Sequence, residues 1–440
     1  MPRFIYDIIP PKYHESAKKF WQQNSGRIKI ATLLTFVLSF VAVAVFTFVA
    51  KPGVKNASAA DPQAGDGILF YAATGNTTPQ FRNYNGSTND FSANAGTVAG
   101  AQPAITKIVT SSDKQEAIAG YQDTSGVLHI LCYDGTTWTE DWSVTVAPSG
   151  TPTTQRFDIV YEGAMQPSEN MGKVVVAYSR NTAAVNALAY RTKLGTANCG
   201  SANWSNASNF PTTTTATSGT VLWVKGSTDS YGGRATIGDQ SVWVWLDNAA
   251  TNADLGAAIY ANGSFTNFVQ VETSMEHIAA VGDTDNFDVK MYFNGDVGGY
   301  SAMVVWGNSA GANGTNGARY KRCLGTSGQP LSSCVWGAAT PIPTILDDVT
   351  NLYLSTDGRD LAFAAIGNAG SDLSAAYFDG TTQTWTGYAN VDTSTETPTA
   401  GERLVATGFM GVNQKTWFLT YDDATGTGIS YKYAYAGGAI

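Results

Sequence analysis

The side chains that could do chemistry in this sequence are few, and their spacing argues against most reactions. Past residue 60 there are two histidines, His129 and His277, and four cysteines, Cys132, Cys199, Cys323 and Cys334. Serine hydrolysis requires a histidine base beside its nucleophile, and only these two histidines are available for it. His129, in Val127-Leu128-His129-Ile130, reads as a strand residue packed on a neighbour; His277, after Met275-Glu276, reads as a loop residue. Glycoside hydrolysis needs two carboxyl groups held across one bond. The pairs Asp347-Asp348 and Asp422-Asp423 would point to opposite faces of a strand and read as solvated turns. No catalytic residue is assigned. Calcium requires about six to eight oxygens. Two runs cluster such groups, Gly282-Asp283-Thr284-Asp285-Asn286-Phe287-Asp288 and Asp357-Gly358-Arg359-Asp360, and neither has the EF-hand spacing. No metal ligand and no cofactor are assigned, with calcium kept as a secondary expectation. Zinc is disfavoured, because there is no CxxC pair and no histidine near the cysteines in sequence.

The composition indicates which elements must position these groups. Charged residues are 14%, aromatics 12% and hydrophobic residues 43% of 440. That balance suits short strands joined by turns around a sizeable core. Ahead of it, Ile30 to Ala50 form 21 uncharged, largely apolar residues. At ~1.5 Å per helical residue, that run spans a hydrocarbon core of ~30 Å. Arg3, Lys12, Lys18, Lys19, Arg27 and Lys29 outweigh Asp7 and Glu15 before it. The positive-inside rule then places residues 1–29 in the cytoplasm and the rest outside, on a signal-anchor helix at 30–50. The alternative is a cleaved signal peptide: Ala57-Ser58-Ala59 is an A-x-A site, and cleavage after Ala59 would give a secreted protein. Residues 51–66 read as a linker and 67–440 as one domain. Residues 61–440 hold 18 Lys and Arg against 33 Asp and Glu, a net charge of −15. Nucleic acid requires clustered cations, so it is not an expected partner.

Within 67–440 a unit recurs seven times, roughly every 50 to 65 residues, the mark of a repeat architecture. Each unit can be written as strands A to D. Strand A is clearest in Phe157-Asp158-Ile159-Val160-Tyr161 and Phe287-Asp288-Val289-Lys290-Met291-Tyr292. Strand B is apolar throughout, as in Val174 to Tyr178 and Ala302 to Trp306. Strand C ends in an aromatic and a glycine, as in Tyr133-Asp134-Gly135 and Phe378-Asp379-Gly380, and strand D carries an aromatic such as Trp138, Trp204, Trp336 or Trp385. Strands this apolar must be buried on both faces. A ring of small stacked sheets achieves that, so the expected fold is an all-β propeller of four-stranded antiparallel blades. Seven blades are favoured, with strand A missing from the first and strand D from the last. Six is the alternative, in which the first segment would complete the last sheet. The Asp-Gly and Asn-Gly pairs after strand C are expected to supply positive φ for tight turns. Cys323 and Cys334 flank a Gly325-to-Pro330 turn and are expected to form a disulfide, which an oxidising compartment favours. Cys132 and Cys199 hold comparable places in successive repeats and read either as a second bridge or as buried small side chains.

Phe-Asp-Ile-Val-Tyr, Val-Val-Val-Ala-Tyr and the aromatic-x-Gly-x-x-Trp pattern resemble the repeats of bacterial cell-surface β-propellers and, more distantly, sialidase-type propellers. The resemblance covers about residues 67–440. Sialidases would bring an Asp-box at blade turns. Tyr133-Asp134-Gly135-Thr136-Thr137-Trp138 and Phe378-Asp379-Gly380-Thr381-Thr382-Gln383-Thr384-Trp385 only echo it, because the aspartate abuts the glycine. The family's Phe-Arg-Ile-Pro segment has no counterpart, since Phe81-Arg82-Asn83-Tyr84 departs after the arginine. The resemblance implies a membrane-tethered, non-enzymatic cell-surface binding or adhesion module for a glycan or protein ligand. The alternatives are an extracytoplasmic glycan hydrolase using loop carboxylates and a structural envelope protein. Convergent acids at the channel would favour the enzyme; an exposed aromatic patch without them would favour binding.

Overall fold

Seven antiparallel sheets, each formed by a contiguous stretch of chain, follow one another through the compact unit Pro62–Ile440. They span residues 67–97, 103–145, 157–209, 221–275, 287–341, 349–392 and 405–435, called blades 1 to 7. This computed structural model describes residues 67–435 apart from loop segments, the longest being 163–172, 210–219, 229–239, 276–285, 308–316 and 393–404. Among the described residues no helix is long and apolar enough to cross a membrane; Ile30 to Ala50 lie outside them.

Blade 3 shows the plan. Phe157–Tyr161, Lys173–Ser179, Leu188–Leu194 and Ser208–Asn209 pair in chain order, with Val176 opposite Ile159 on one side and Arg191 on the other. The second strands are buried along their whole length in Ala117–Asp123, Gln240–Asp247, Gly299–Gly307 and Leu361–Gly367. These are the runs too apolar for a sheet with one wet face. Each fully buried Val, Leu, Ile or Phe contributes roughly 1.5–3 kcal/mol, so the core lies between the blades. Six hydrophobic clusters join blade to blade from 1–2 through 6–7. First strands also pack on one another from blade 2 to blade 7, which makes them the inner edge.

The end blades are incomplete in the expected way. In blade 1, Gly67–Tyr71 enters as strand B, and the split outer edge Asp90–Phe91 and Gly96–Thr97 serves as D. Blade 7 holds Val405–Phe409, Thr416–Asp422 and Ile429–Tyr435 and has no fourth strand among the described residues. Among the described residues no sheet takes strands from both ends, so the six-blade alternative is not the one formed.

The Phe-Asp dipeptide of strand A is an inter-blade staple. Phe157 and Phe287 are fully buried. Asp158 accepts the Gly226 N–H of blade 4 at 2.8 Å and pairs with Lys107 of blade 2 at 3.1 Å. Asp288 accepts the Leu354 N–H of blade 6 at 2.9 Å. Each ties its own inner strand to the next. Asp158→Asn removes the charge partner of Lys107 while keeping an acceptor for Gly226. It should cost about 1–3 kcal/mol, read as a lower urea midpoint with unchanged slope.

Two of the turns after strand C depart from expectation. Positive φ falls on Gly135 and on Asn262-Gly263, but in the Asn85-Gly86 turn it falls on Asn89, and in the Asp379-Gly380 turn on Gln383. Asn85 and Asp379 accept the N–H groups two and three residues on, which sets a longer turn whose last residue takes the left-handed conformation. Gly380 is needed for space instead: a Cβ there would collide with the Arg359 carbonyl.

Candidate functional site

The carboxylates that looked chemical in the sequence are mostly consumed by the fold. Asp357 Oδ1 accepts the Arg359 and Asp360 N–H groups at 2.9 and 2.8 Å. Asp360 is fully buried and accepts the Tyr377 hydroxyl at 2.7 Å and the Gly380 N–H at 2.9 Å. This second calcium expectation is therefore a hydrogen-bonded turn locking two hairpins of blade 6, with the Tyr377 hydroxyl pushed up by burial and by Asp360. Of the first run, 282–285 lie outside the described residues, and Asp288 is the staple described above. Burial pushes Asp141 up, yet its oxygens accept Trp204 Nε1–H at 2.7 Å and Gly200 N–H at 2.8 Å across the blade 2–3 seam.

The Asp-box echoes are Asx turns. Asp134 Oδ1 accepts the Thr136 and Thr137 N–H groups at 2.9 and 2.7 Å and the Thr136 hydroxyl at 2.7 Å. The Thr137 amide and the Thr136 hydroxyl pull its carboxyl down to about 2. A folded value below the ordinary one means that this turn's stabilisation is complete above roughly pH 4 and fades as pH falls through about 2. A carboxyl-detected NMR titration should find the Asp134 midpoint well below that of an unperturbed aspartate.

His129 lies on the blade 2 face that meets blade 1, stacked on Tyr121 at 4.6 Å between centroids. Its ring nitrogens sit 3.4 Å from Asp123 and 3.2 Å from Glu140. No serine or cysteine is bonded to it among the described residues, so it positions strands rather than activating a nucleophile. His277 lies outside the described residues. Both disulfides form. Cys323–Cys334 closes the expected hairpin in blade 5, and Cys132–Cys199 joins blade 2 to blade 3. Glu116 lies within 4.8 Å of both sulfurs of the second bridge. Bonded sulfurs offer no thiolate to a metal, and Glu116 is held instead by Lys193 at 2.8 Å.

What remains open to a ligand is aromatic. In blade 7, Trp417, Leu419 and Tyr421 pack on blade 6. The register puts Phe418 opposite Tyr433 and Thr420 opposite Tyr431 on the other face. In blades 1 to 6 that face packs on the next blade; here Tyr431 is 71% and Tyr433 66% exposed. Blade 1 mirrors it: Leu69, on the face that elsewhere meets the preceding blade, is 45% exposed. No hydrophobic cluster among the described residues joins blade 7 to blade 1. Small residues Ala406 and Gly408 stand in the same rows as the tyrosines, with the Phe418 ring packed over Gly408. Sequence reading did not single out this surface. The signal was present in Tyr431-Lys432-Tyr433, whose period-2 spacing puts both rings on one face.

No family model and no curated protein matches this sequence. Solved structures similar to it include the AofleA protein of Arthrobotrys oligospora, at 12% identity over 74% of this chain and 83% of that one, TM-score 0.41. A fucose-specific lectin of Aleuria aurantia aligns at 14% identity over 76% and 94%, TM-score 0.38. An α-L-arabinofuranosidase of Fusarium graminearum aligns at 11% over 75% and 92%, TM-score 0.36. Binding proteins and enzymes thus both occur among its structural neighbours.

Proposed function

We propose that this protein is an exported, membrane-tethered β-propeller that binds glycans at the cell surface without chemically altering them. The observation that carries the reading is the exposed Tyr431–Tyr433 pair on blade 7, on the face that also holds Thr420. A tyrosine ring offers a flat apolar face to the C–H side of a sugar and a hydroxyl to its polar rim. The candidate acid groups point the same way: Asp141, Asp158, Asp288 and Asp360 each hold a neighbouring strand or turn. Export is supported by the basic-then-apolar N-terminus and agrees with two disulfides. Tyr433→Ala in the full-length chain should weaken glycan binding about three- to ten-fold, the worth of one stacked ring. Unchanged affinity in a Tyr431→Ala/Tyr433→Ala double variant would refute the assignment of the site.

A further inference from the structure

The charge of the exported domain is not evenly spread. Its net charge is −15, yet residues 170–228 contain no Asp or Glu and include Lys173, Arg180, Arg191, Lys193 and Lys225. Two of these cations are accounted for. Lys193 faces Glu116, and Lys225 donates to the Phe287 carbonyl while lying over the Phe287 ring. The arginines of the blade 2–3 seam are not matched in this way.

Arg156 closes the loop leading into blade 3. Its Nε–H points to Thr154 Oγ1 at 3.3 Å, and its Nη1 to the Val146 carbonyl and Asn181 Oδ1 at 3.4 and 3.3 Å. Arg180 Nη1 reaches Asn209 Oδ1 at 3.0 Å and the Asn186 carbonyl at 3.5 Å. Arg191 lies 4.8 Å over the Trp142 ring, with its Nε buried and unpartnered. All these acceptors are neutral, and most of the bonds are long. The three arginines belong to one locality. The Arg156 carbonyl accepts the Ser179 N–H at 2.8 Å, and the Tyr178 hydroxyl feels both Arg191 and Arg180. Gln122, fully buried at the end of its strand, accepts the Arg156 N–H at 3.4 Å, and its own Nε2 has no partner.

The sequence flanking these arginines does not supply the missing anion. Residues 146–156, 180–187 and 208–220 contain no acidic residue. Asp123, at the end of the same strand as Gln122, has its carboxylate taken by the Ser125 and Val127 N–H groups at 2.9 and 2.8 Å and by His129. A partly desolvated guanidinium without a counter-charge is costly, and burial alone already pulls Arg156 down. Its fork of donors matches the paired oxygens of a carboxylate or sulfate.

We propose that this end of the blade 2–3 seam is an oxyanion subsite that seats the carboxylate or sulfate group of an acidic saccharide. Arg156 and Arg180 contact the anion, and Arg191 is held beside it by Trp142 and Tyr178. The identity of the ligand as a saccharide rests on the glycan reading above; the anion site itself does not.

The test is calorimetric titration of the full-length protein with an oligogalacturonate, a sulfated galactan oligomer, the corresponding neutral oligomers and inorganic sulfate. One acidic oligomer should bind at least about ten-fold tighter than its neutral counterpart, and Arg180→Ala should remove about ten-fold of that. Arg156→Gln, which keeps hydrogen bonding without charge, should remove as much, whereas Arg319→Gln on blade 5, where the guanidinium already faces Glu272, should change nothing. The uronate and sulfate arms tell which anion is meant. Neutral oligomers binding as well as acidic ones, with both seam variants silent, would overturn the subsite and leave the glycan reading standing. Inorganic sulfate bound in an Arg156- and Arg180-dependent way, with every oligomer silent, would uphold the subsite and sink the glycan reading.

Discussion

Replacing Lys193 by methionine should lower the unfolding free energy by about 3–5 kcal/mol, the cost of leaving a buried charge without its partner. The Lys193 side chain has no solvent exposure. Its three ammonium protons go to Glu116 Oε1 and Oε2 at 2.8 and 2.9 Å and to the Ala197 carbonyl at 2.8 Å. Glu116 precedes strand B of blade 2 and also accepts the Tyr161 hydroxyl of blade 3 at 3.0 Å. Methionine fills much of the volume but donates nothing, so Glu116 must keep its charge in a dry seam or take up a proton. The double variant Lys193→Met/Glu116→Gln should recover much of the loss, because neither member of the pair is then left as a lone buried charge. Urea unfolding of the four forms gives the coupling directly. Additive effects would mean that the pair does not act as a unit.

Removing the Cys132–Cys199 bridge should cost about 2–4 kcal/mol, in line with its long loop. The bridge spans 67 residues against 11 for Cys323–Cys334, so in the chain-entropy account its loss should be the greater of the two. Cys132→Ala/Cys199→Ala tests the first and Cys323→Ala/Cys334→Ala the second, both by urea midpoint. Mass mapping of unreduced peptides should find only these two pairings. A chain in which all four cysteines alkylate without reductant would contradict both. The long bridge and the Lys193–Glu116 pair cross the same seam, so the blade 2–3 junction should be the most tightly clamped in the ring.

Local pattern made the fold legible. Val174-Val175-Val176 and Ala302-Met303-Val304-Val305 are apolar at every position, which only two-sided burial tolerates. Short C-to-D connections such as Asp134-Gly135 marked the hairpins. Cys323–Cys334 could be foreseen because both partners flank one turn. The groups that bind blade to blade were much harder to see. Lys193 and Glu116 are 77 residues apart, and nothing in either neighbourhood names the other. Cys132 and Cys199 matched in repeat position, but that could not separate a bridge from two buried thiols. Asp158 and Asp288 stood in a conspicuous motif whose purpose, capping the amide of the next inner strand, exists only once the blades are stacked. The arginine seam left a trace in the missing acids of residues 170–228. A search for runs of Lys and Arg overlooks it, because the three arginines are dispersed in sequence and gathered by the sheet.

The central claim is binding without turnover, and a glycan array probed with the full-length protein, followed by product analysis of every glycan that binds, tests it most directly. Selective, saturable binding with each bound glycan recovered intact is the predicted result. A blank array, or bound glycans recovered as cleaved products, would contradict it.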